Sequence, residues 1–307
     1  MDIIILLFGF SIGLVLLVKG ADEMVSSAIQ IALKFKLPSS IVGATFIGFG
    51  TSAPELFAST RAALKGDLDL GIGNIVGSNI ANSLLVVAVL YLVLPKDYSK
   101  KINLNKISPT WMAILTTIFV STYLLTNKFP FLLGVALLVL VLYVIYKMIS
   151  SESDDEEGLI EEEKSYVWLR GGMSLVATLY GSQLVVENAV EIASIFGVSS
   201  LVIGSTIIAI GTSLPEVAGT ISAAKMRKPD IVFGNIFGSN LFNIGLVGGA
   251  AIMISPGEIS SAIDYQLFIM YFVSFVVIFL SRNIIKRNAI LGYVFIAFYV
   301  LFLISLF

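Results

Sequence analysis

The sequence predicts an all-α polytopic membrane protein with ten transmembrane helices, arranged as two inverted five-helix repeats with broken helices near the membrane midplane. Three observations lead to this fold class. The 307-residue chain is 57% hydrophobic and only 13% charged, with a mean hydropathy of +0.96, which is about half the charge of a soluble domain. Long apolar runs recur along it. Two polar motifs occur twice at the same separation, and each copy of one motif carries a glutamate directly after a proline.

Ten apolar segments approach the ~20 residues that cross a bilayer. The N-terminal stretch MDIIILLFGF lacks a basic region and a small-residue cleavage site, so we interpret it as the first helix and not as a signal peptide. The predicted spans are roughly 3–34, 39–65, 69–94, 107–126 and 129–150 in the first half, and roughly 166–196, 200–226, 230–255, 264–281 and 288–307 in the second.

Residue types missing from the whole sequence exclude several function classes. The chain has no cysteine and no histidine, which excludes disulfides, thiolate metal sites, iron–sulfur clusters and the usual zinc ligand. No GxxxxGK[ST] loop occurs, which argues against a built-in ATPase. We therefore expect neither an enzyme nor a bound cofactor, and no nucleic-acid partner.

The two motifs identify a duplicated unit. GATFIGFGTSAPE from Gly43 matches GSTIIAIGTSLPE from Gly204, and GNIVGSNIAN from Gly73 matches GNIFGSNLFN from Gly234. Both pairs are separated by 161 residues (204 − 43 and 234 − 73). Five spans per unit make the second copy enter the membrane from the opposite side, which predicts inverted repeats with a site at their interface. We assign 1–150 to the first repeat, 151–164 to an acidic linker and 165–307 to the second repeat.

Basic residues predict the orientation. With the N-terminus outside, only Arg61, Lys65 and Lys128 of the 19 lysines and arginines fall on the outer side, and Lys19 lies within the first span. The positive-inside rule then places both termini outside and the linker in the cytoplasm of a multi-pass cell-membrane protein. The acidic linker is either a calcium-sensing loop or a solvated connection. Because it lacks calcium-loop spacing, we favour the connection.

The duplicated glutamates are the strongest functional signal. Pro54 and Pro215 remove a helical N–H and free carbonyls just upstream, near Gly50–Thr51 and Gly211–Thr212. Glu55 and Glu216 follow them inside apolar spans, where carboxylates are functional by default. Carbonyls, hydroxyls and carboxylates are the ligands of hard cations such as Ca²⁺ and Na⁺.

The second motif predicts an opposing wall of the same site. Its polar residues recur at i, i+4 and i+8, on one helical face. Its glycines have the GxxxG spacing that permits close helix packing, so the asparagines that open the motif have a structural interpretation of equal weight. The residues on this face are Asn74, Ser78 and Asn82 in the first repeat and Asn235, Ser239 and Asn243 in the second.

Other charges within the spans are interpreted as peripheral or structural. Lys19, Asp22 and Glu23 could pair with one another, since Lys19 and Glu23 are spaced i, i+4. Glu187 and Glu191 share a helix face, but their repeat partners are Ser26 and Gln30. A site at the pseudo-two-fold axis should be matched in both halves.

GTSxPE followed by GNxxGSNxxN, duplicated in a chain of ten spans, resembles the α-repeats of the sodium/calcium exchanger family, in its prokaryotic ten-helix form. The resemblance covers both halves. It implies alternate binding of Ca²⁺ and Na⁺ at the two glutamates, and two long helices that slide over a fixed core. The metal ligands that it implies are Glu55, Glu216, Thr51, Thr212, Ser52, Ser213, Ser78, Ser239, Asn82, Asn243, Gly48 and Ala209.

The resemblance implies a secondary active antiporter that exchanges Na⁺ for Ca²⁺, is electrogenic and works as a monomer in the lipid bilayer. Some members of the family that the chain resembles carry an aspartate at the position of Asn243. A proton/calcium antiporter, a potassium-dependent sodium/calcium exchanger and, from another class, a cation channel remain alternatives. In the proton/calcium branch, the α-repeats resemble GNxxE and have a histidine nearby. This chain has neither the motif nor a histidine.

Overall fold

The computed structural model describes residues 3–101, 104–150, 166–197 and 209–306. These residues form mainly helices, in the order that the hydrophobic spans predict. The helices are α1 (Ile3–Phe35), α2 (Ser39–Thr51), α3 (Ala53–Leu64), α4 (Leu68–Val93), α5 (Ile107–Thr126), α6 (Phe131–Ile149), α7 (Val167–Ile195), α8 (Ala209–Gly211), α9 (Leu214–Lys225), α10 (Pro229–Ile254), α11 (Asp264–Ser281) and α12 (Ala289–Ile304), with a 3₁₀ turn at Ser261–Ile263.

Helix boundaries follow local chemistry. Asp67 accepts a hydrogen bond from the Leu70 amide at 3.0 Å and caps α4, and Asn288 caps α12 through the Leu291 amide at 3.1 Å. Pro229 occupies the first turn of α10, where its missing N–H has no consequence. The predicted acidic linker 151–164 and the start of the predicted seventh span lie outside the described residues.

Within the described ranges, six helices are long and apolar enough to cross a membrane, or seven if the bent pair α2–α3 counts as one span. These spans confirm the predicted class, an all-α polytopic membrane protein. The count of ten helices stays a prediction, because α7, α9 and α12 are not among these spans, and α12 has only 16 residues and α9 only 12.

Two small antiparallel strand pairs tie the halves of the chain together at its two faces. Strand β1 (Ser99–Lys101) pairs with β4 (Ile284–Lys286), and β2 (Lys128–Phe129) pairs with β3 (Gly257–Glu258). We call these the β1–β4 face and the β2–β3 face. Each face thus joins a loop of the first half to a loop of the second.

An ion pair joins the two halves on the β1–β4 face. The Arg227 guanidinium donates to Asp97 at 2.6 Å, and this charge-assisted bond holds the pKa of the Asp97 carboxyl below its usual value. The pair is exposed, so it contributes little to stability.

The two motif-bearing helices form the centre of the molecule. In α10 and α4, 83% and 78% of the most apolar window is buried, compared with 22% in α1. Helix α10 packs against α2, α5 and α9, and α4 packs against α3 and α11. The duplicated motifs therefore lie in the core, while α1 lies at the periphery.

The long helices α1 and α7 cross each other in backbone contact. A Cβ at Gly181 would lie 2.4 Å from the Leu17 amide nitrogen, and one at Gly13 would lie 2.9 Å from the Val185 amide nitrogen. Such small-residue crossings let transmembrane helices approach closely. Glycine at these positions therefore makes α1 and α7 a tightly packed pair.

Candidate functional site

Both glutamates lie at a break in a helix. The chain bends by 46° between α2 and α3 at Ser52, and Glu55 lies in the first turn of α3 with 4% of its surface exposed. In the second repeat, α8 ends at Gly211 and α9 begins at Leu214, with Glu216 2% exposed in its first turn. The prolines predicted these breaks correctly. Each carboxylate is buried close to a helix N-terminus, where an anion is favoured.

The core helices contain π-helical turns inside the motifs. They cover Gly43–Gly48 in α2, Asn82–Val86 in α4 and Asn243–Gly248 in α10. A π turn widens the helix and shifts its hydrogen bonds from i−4 to i−5, and such turns are frequent at functional sites. Asn82 and Asn243 begin two of them at equivalent positions of the two repeats, and both side chains are buried.

Each carboxylate has a hydroxyl group beside it. Ser78 donates to Glu55 Oε1 at 3.3 Å, and the Thr51 hydroxyl of the other repeat interacts favourably with the Glu216 carboxylate. Among the described residues, nothing donates to Oε2 of Glu55 or Oε2 of Glu216, although both atoms are buried. The two carboxylates also repel each other electrostatically. A cation between them would relieve both the missing hydrogen bonds and the repulsion.

Four asparagines form a symmetric network across the repeats. Asn82 Nδ2 donates to Asn240 Oδ1, and Asn243 Nδ2 donates to Asn79 Oδ1, both at 3.1 Å. The offset of 161 residues turns one bond into the other. These bonds fix the amide groups, and Asn243 Oδ1 remains buried without a hydrogen-bond donor among the described residues. A neutral oxygen is thus left for a ligand.

Sequence reasoning missed Asn79 and Asn240. Both stand in the duplicated GSN tripeptide, and that repetition was the signal that could have identified them. They lie one residue off the i, i+4, i+8 face that was chosen for candidate ligands. Their role in the structure is to orient Asn82 and Asn243.

Ser239 and Gly48 join the two repeats beside the breaks. Ser239 Oγ lies 3.2 Å from the Gly48 carbonyl, to which it donates, and 3.5 Å from Thr51 Oγ1. A Cβ at Gly48 would lie 2.9 Å from the Ser239 amide nitrogen. Hydroxyl and carbonyl oxygens of α2 and α10 therefore meet next to the carboxylates.

The remaining predicted ligands at the second break differ in how far they are buried. Ser213 is buried at 2% exposure, and Thr212 is exposed in a cavity of about 550 Å³. The two prolines, Gly211 and several α7 side chains also line this cavity. Ala209 begins α8, but its side chain lies outside the described residues.

In the first break, Ser52 Oγ is buried without a partner among the described residues. Asn74, by contrast, donates to Ser59 Oγ at 2.9 Å, and Ser59 donates to the Gly71 carbonyl at 3.1 Å. This chain of bonds ties α4 to α3. It supports the structural interpretation of Asn74.

The peripheral charges Glu23 and Glu187 have partners other than the two carboxylates. Glu23 forms its ion pair with Arg170 of α7 at 2.5 Å, between the two repeats and not within α1. Glu187 accepts a hydrogen bond from Gln183 at 2.7 Å and lines the cavity beside Thr212. Among the described residues, no cluster of three or more acidic side chains could hold a metal ion. The candidate site thus combines two carboxylates with neutral oxygens.

Comparisons with known proteins cover nearly the whole chain. The profile of a family described as "Sodium/calcium exchanger protein" matches residues 5–151 and 166–307. The sodium/calcium exchanger MaX1 of Methanosarcina acetivorans is 30% identical over 96% of this chain and 97% of its own length. The putative antiporter CaxA of Alkalimonas amylolytica is 38% identical over 82% of this chain and 81% of its own.

A solved structure of the sodium-calcium exchanger NCX_Mj, soaked with zero Na⁺ and Ca²⁺, superposes with a TM-score of 0.84. The match covers 100% of both chains at 27% sequence identity. The family profile, the full-length relatives and the shared fold lead to one conclusion. The chain belongs to the sodium/calcium exchanger protein family.

Proposed function

We propose that the protein is a secondary active antiporter that exchanges Na⁺ for Ca²⁺ at a midplane site between Glu55 and Glu216. The family consists of transporters and not of enzymes. The observation that carries the proposal is the pair of buried carboxylates, each with one oxygen that receives no hydrogen bond from the described residues. Carboxylate oxygens of this kind suit Ca²⁺ and Na⁺.

Neutral oxygens would complete the coordination. Asn243 Oδ1 and Ser52 Oγ are buried and without hydrogen-bond donors among the described residues. The Gly48 carbonyl and the Ser239 hydroxyl lie together across the repeats. The full proposed ligand set is Glu55, Glu216, Thr51, Thr212, Ser52, Ser213, Ser78, Ser239, Asn82, Asn243, Gly48 and Ala209.

Charge balance explains why such a site exchanges ions and does not leak them. Two carboxylates neutralise one Ca²⁺ or two Na⁺, whereas the empty site is anionic and expensive to move through a low-dielectric barrier. If more than two Na⁺ move per Ca²⁺, the cycle carries net charge. The membrane potential then contributes about 2.3 kcal/mol per charge per 100 mV.

Unequal environments of the two repeats support alternating access. In α10, a Cβ at Gly234 would lie 2.2 Å from the Ser40 carbonyl oxygen, and one at Gly238 would lie 2.4 Å from the Ala44 carbonyl oxygen. The equivalent glycines of α4, Gly73 and Gly77, are only half-buried.

The half of the site toward the β1–β4 face is therefore closed by backbone contact between α2 and α10. The exposed Thr212 lies in the other repeat's break. We infer that this structure represents one of two access states, the one that is more open toward the β2–β3 face. The two states interconvert as α1 and α7 slide over the core.

Calcium uptake into proteoliposomes, with Na⁺, K⁺ or pH gradients imposed separately, tests the proposal. Asn243 offers a neutral oxygen and no titratable group, so we expect uptake that an outward Na⁺ gradient drives with K⁺ fully replaced by an inert cation. Acid should inhibit uptake, since protons compete for the two glutamates.

Asn243→Asp adds a third carboxylate and should increase the pH sensitivity and introduce K⁺ dependence.

The outcomes separate the alternatives. Uptake that vanishes without K⁺ would assign the protein to the potassium-coupled exchangers, and uptake that a pH gradient alone drives would make it a proton/calcium antiporter. A steady single-channel current would contradict exchange altogether.

We further propose that the β1–β4 face is cytoplasmic, as the basic residues predict, with both termini outside and a monomer as the functional unit. The chain has no cysteine, so single introduced cysteines report sidedness without background. Lys100→Cys in β1 should resist an impermeant thiol reagent on intact cells, and Lys128→Cys in β2 should react. Both positions are exposed. Equal reaction at both would contradict the assigned topology.

A further inference from the structure

Ser182 connects the long helix α7 to the second helix break. Its buried hydroxyl donates to the Gly211 carbonyl at 3.1 Å. Gly211 ends α8, four residues before Pro215, and proline has no N–H. The Gly211 carbonyl thus lacks the donor that an unbroken helix would supply. Ser182 supplies it from a helix outside the core.

The first repeat cannot form this bond. The offset of 161 residues pairs Ser182 with Ala21 in α1, and Gly211 with Gly50 in α2. Pro54 removes the helical donor from the Gly50 carbonyl in the same way, and there a backbone N–H at the helix end donates to the carbonyl instead. Ala21 is buried at 1% exposure, but a methyl group donates no hydrogen bond. The bond therefore exists at one break and is chemically impossible at its mirror position.

Inverted symmetry turns this difference into a preference for one access state. When the two states exchange the environments of the repeats, residues that are identical in both copies contribute equally to both states. Only a residue that differs from its partner can favour one of them. The Ser182–Gly211 bond forms in the state described here, and Ala21 contributes no equivalent bond to the opposite state.

We propose that Ser182 is a positioning residue that holds the second break against α7 and thereby favours the state open to the β2–β3 face. The inference rests on the proposed alternating-access function. Ser182 itself is not among the proposed ion ligands. Its effect is on the equilibrium between two states and not on the chemistry of the site.

Half-saturation constants measured from the two faces test this effect. An apparent dissociation constant equals the intrinsic constant divided by the fraction of protein in the binding-competent state. The apparent constant measured from the β2–β3 face, divided by the one measured from the β1–β4 face, therefore reports the equilibrium between the two access states. A neutral hydrogen bond of ~1 kcal/mol corresponds to about five-fold. We expect Ser182→Ala to raise this ratio about five-fold in calcium exchange by membrane vesicles of both orientations. Ser182→Thr retains the hydroxyl and should keep the wild-type ratio.

The mirror variant distinguishes the proposal from a packing effect. Ala21→Ser adds a donor that acts in the opposite state, so it should raise the same ratio about five-fold, although it adds the hydroxyl that Ser182→Ala removes. The double variant should raise the ratio about 25-fold. A ratio that neither single variant changes would overturn the proposal. If Ser182→Ala failed to fold, the ratio in Ala21→Ser would decide alone.

A second measurement needs no ion transport. In the cysteine-free chain, Thr212→Cys places one thiol in the exposed part of the site. Ser182→Ala and Ala21→Ser should each slow its modification by an impermeant reagent from the β2–β3 face, by up to about five-fold. Unchanged rates in both backgrounds would overturn the proposal. If the protein exchanged no Na⁺ for Ca²⁺ but the rates still fell, only the proposed function would fail.

Discussion

Glu55→Gln and Glu216→Gln should each lower Na⁺-driven calcium uptake by about 100-fold or more. Each change removes one of the two charges that balance Ca²⁺ while the side chain keeps its size. A hundred-fold loss corresponds to ~2.8 kcal/mol, close to the lower end of the ~3–5 kcal/mol that removing one partner of a buried charge pair costs. Initial rates of labelled calcium uptake into proteoliposomes measure the effect.

The empty protein should tolerate the same changes. In the absence of a cation, the two carboxylates interact unfavourably and each has a buried oxygen without a donor. Neutralising one of them removes repulsion, so thermal unfolding in calcium-free detergent should occur at the wild-type temperature or above it. Glu55→Ala and Glu216→Ala should also be inactive, without unfolding the protein.

Glu191→Gln is the matched control, because it removes an equal charge from an exposed position of α7 outside the cavity lining. It should leave uptake unchanged. Wild-type exchange by either glutamate variant would show that the ion site lies elsewhere. Inactivity combined with a lowered unfolding temperature would instead indicate a structural role.

The features that the sequence predicted well are those set by a single strong physical term. Apolar length and charge predicted the membrane class and the order of the spans, because exposing a charge or an unpaired backbone to lipid is costly. Pro54 and Pro215 predicted the breaks, since proline removes a donor and clashes within a helix. The fixed offset predicted which residues of the two halves correspond.

Other features depended on geometry that periodicity does not contain. Asn79 and Asn240 lie one residue off the chosen helix face, and their bonds to Asn243 and Asn82 of the opposite repeat are tertiary contacts. Glu23 pairs with Arg170 of the other repeat, which local spacing on α1 could not reveal.

The difference in burial between the two repeats also could not be predicted from the sequence. Both copies carry the same motif, and only the structure assigns Thr51 a buried position and Thr212 an exposed one. A symmetric sequence specifies two equivalent arrangements, and the fold adopts one of them.

Gly238→Ala and Gly77→Ala should both slow exchange at least about ten-fold, for different reasons. At Gly238 the new Cβ would lie 2.4 Å from the Ala44 carbonyl oxygen and 2.5 Å from Ala44 Cα. These are backbone atoms, so α2 and α10 must separate. Overpacking of this kind lowers the free energy of unfolding by ~1–3 kcal/mol. Thermal unfolding in detergent should show the loss, together with exchange reduced by at least about ten-fold.

Gly77 is the repeat partner of Gly238, but it is only half-buried, and no heavy atom of the described residues, which do not include 198–208, lies within 4 Å of its equivalent Cβ position. Gly77→Ala should therefore fold with wild-type stability. In the opposite access state, Gly77 would take the environment that Gly238 has here, where a methyl group does not fit. The variant should then remain in the state open to the β2–β3 face and exchange at least about ten-fold more slowly. A thiol introduced by Thr212→Cys should react with the impermeant reagent at least as fast in this variant as in a chain that keeps Gly77. Wild-type exchange by Gly77→Ala would contradict the mirror relationship between the two states, because that relationship requires the same close contact at both glycines.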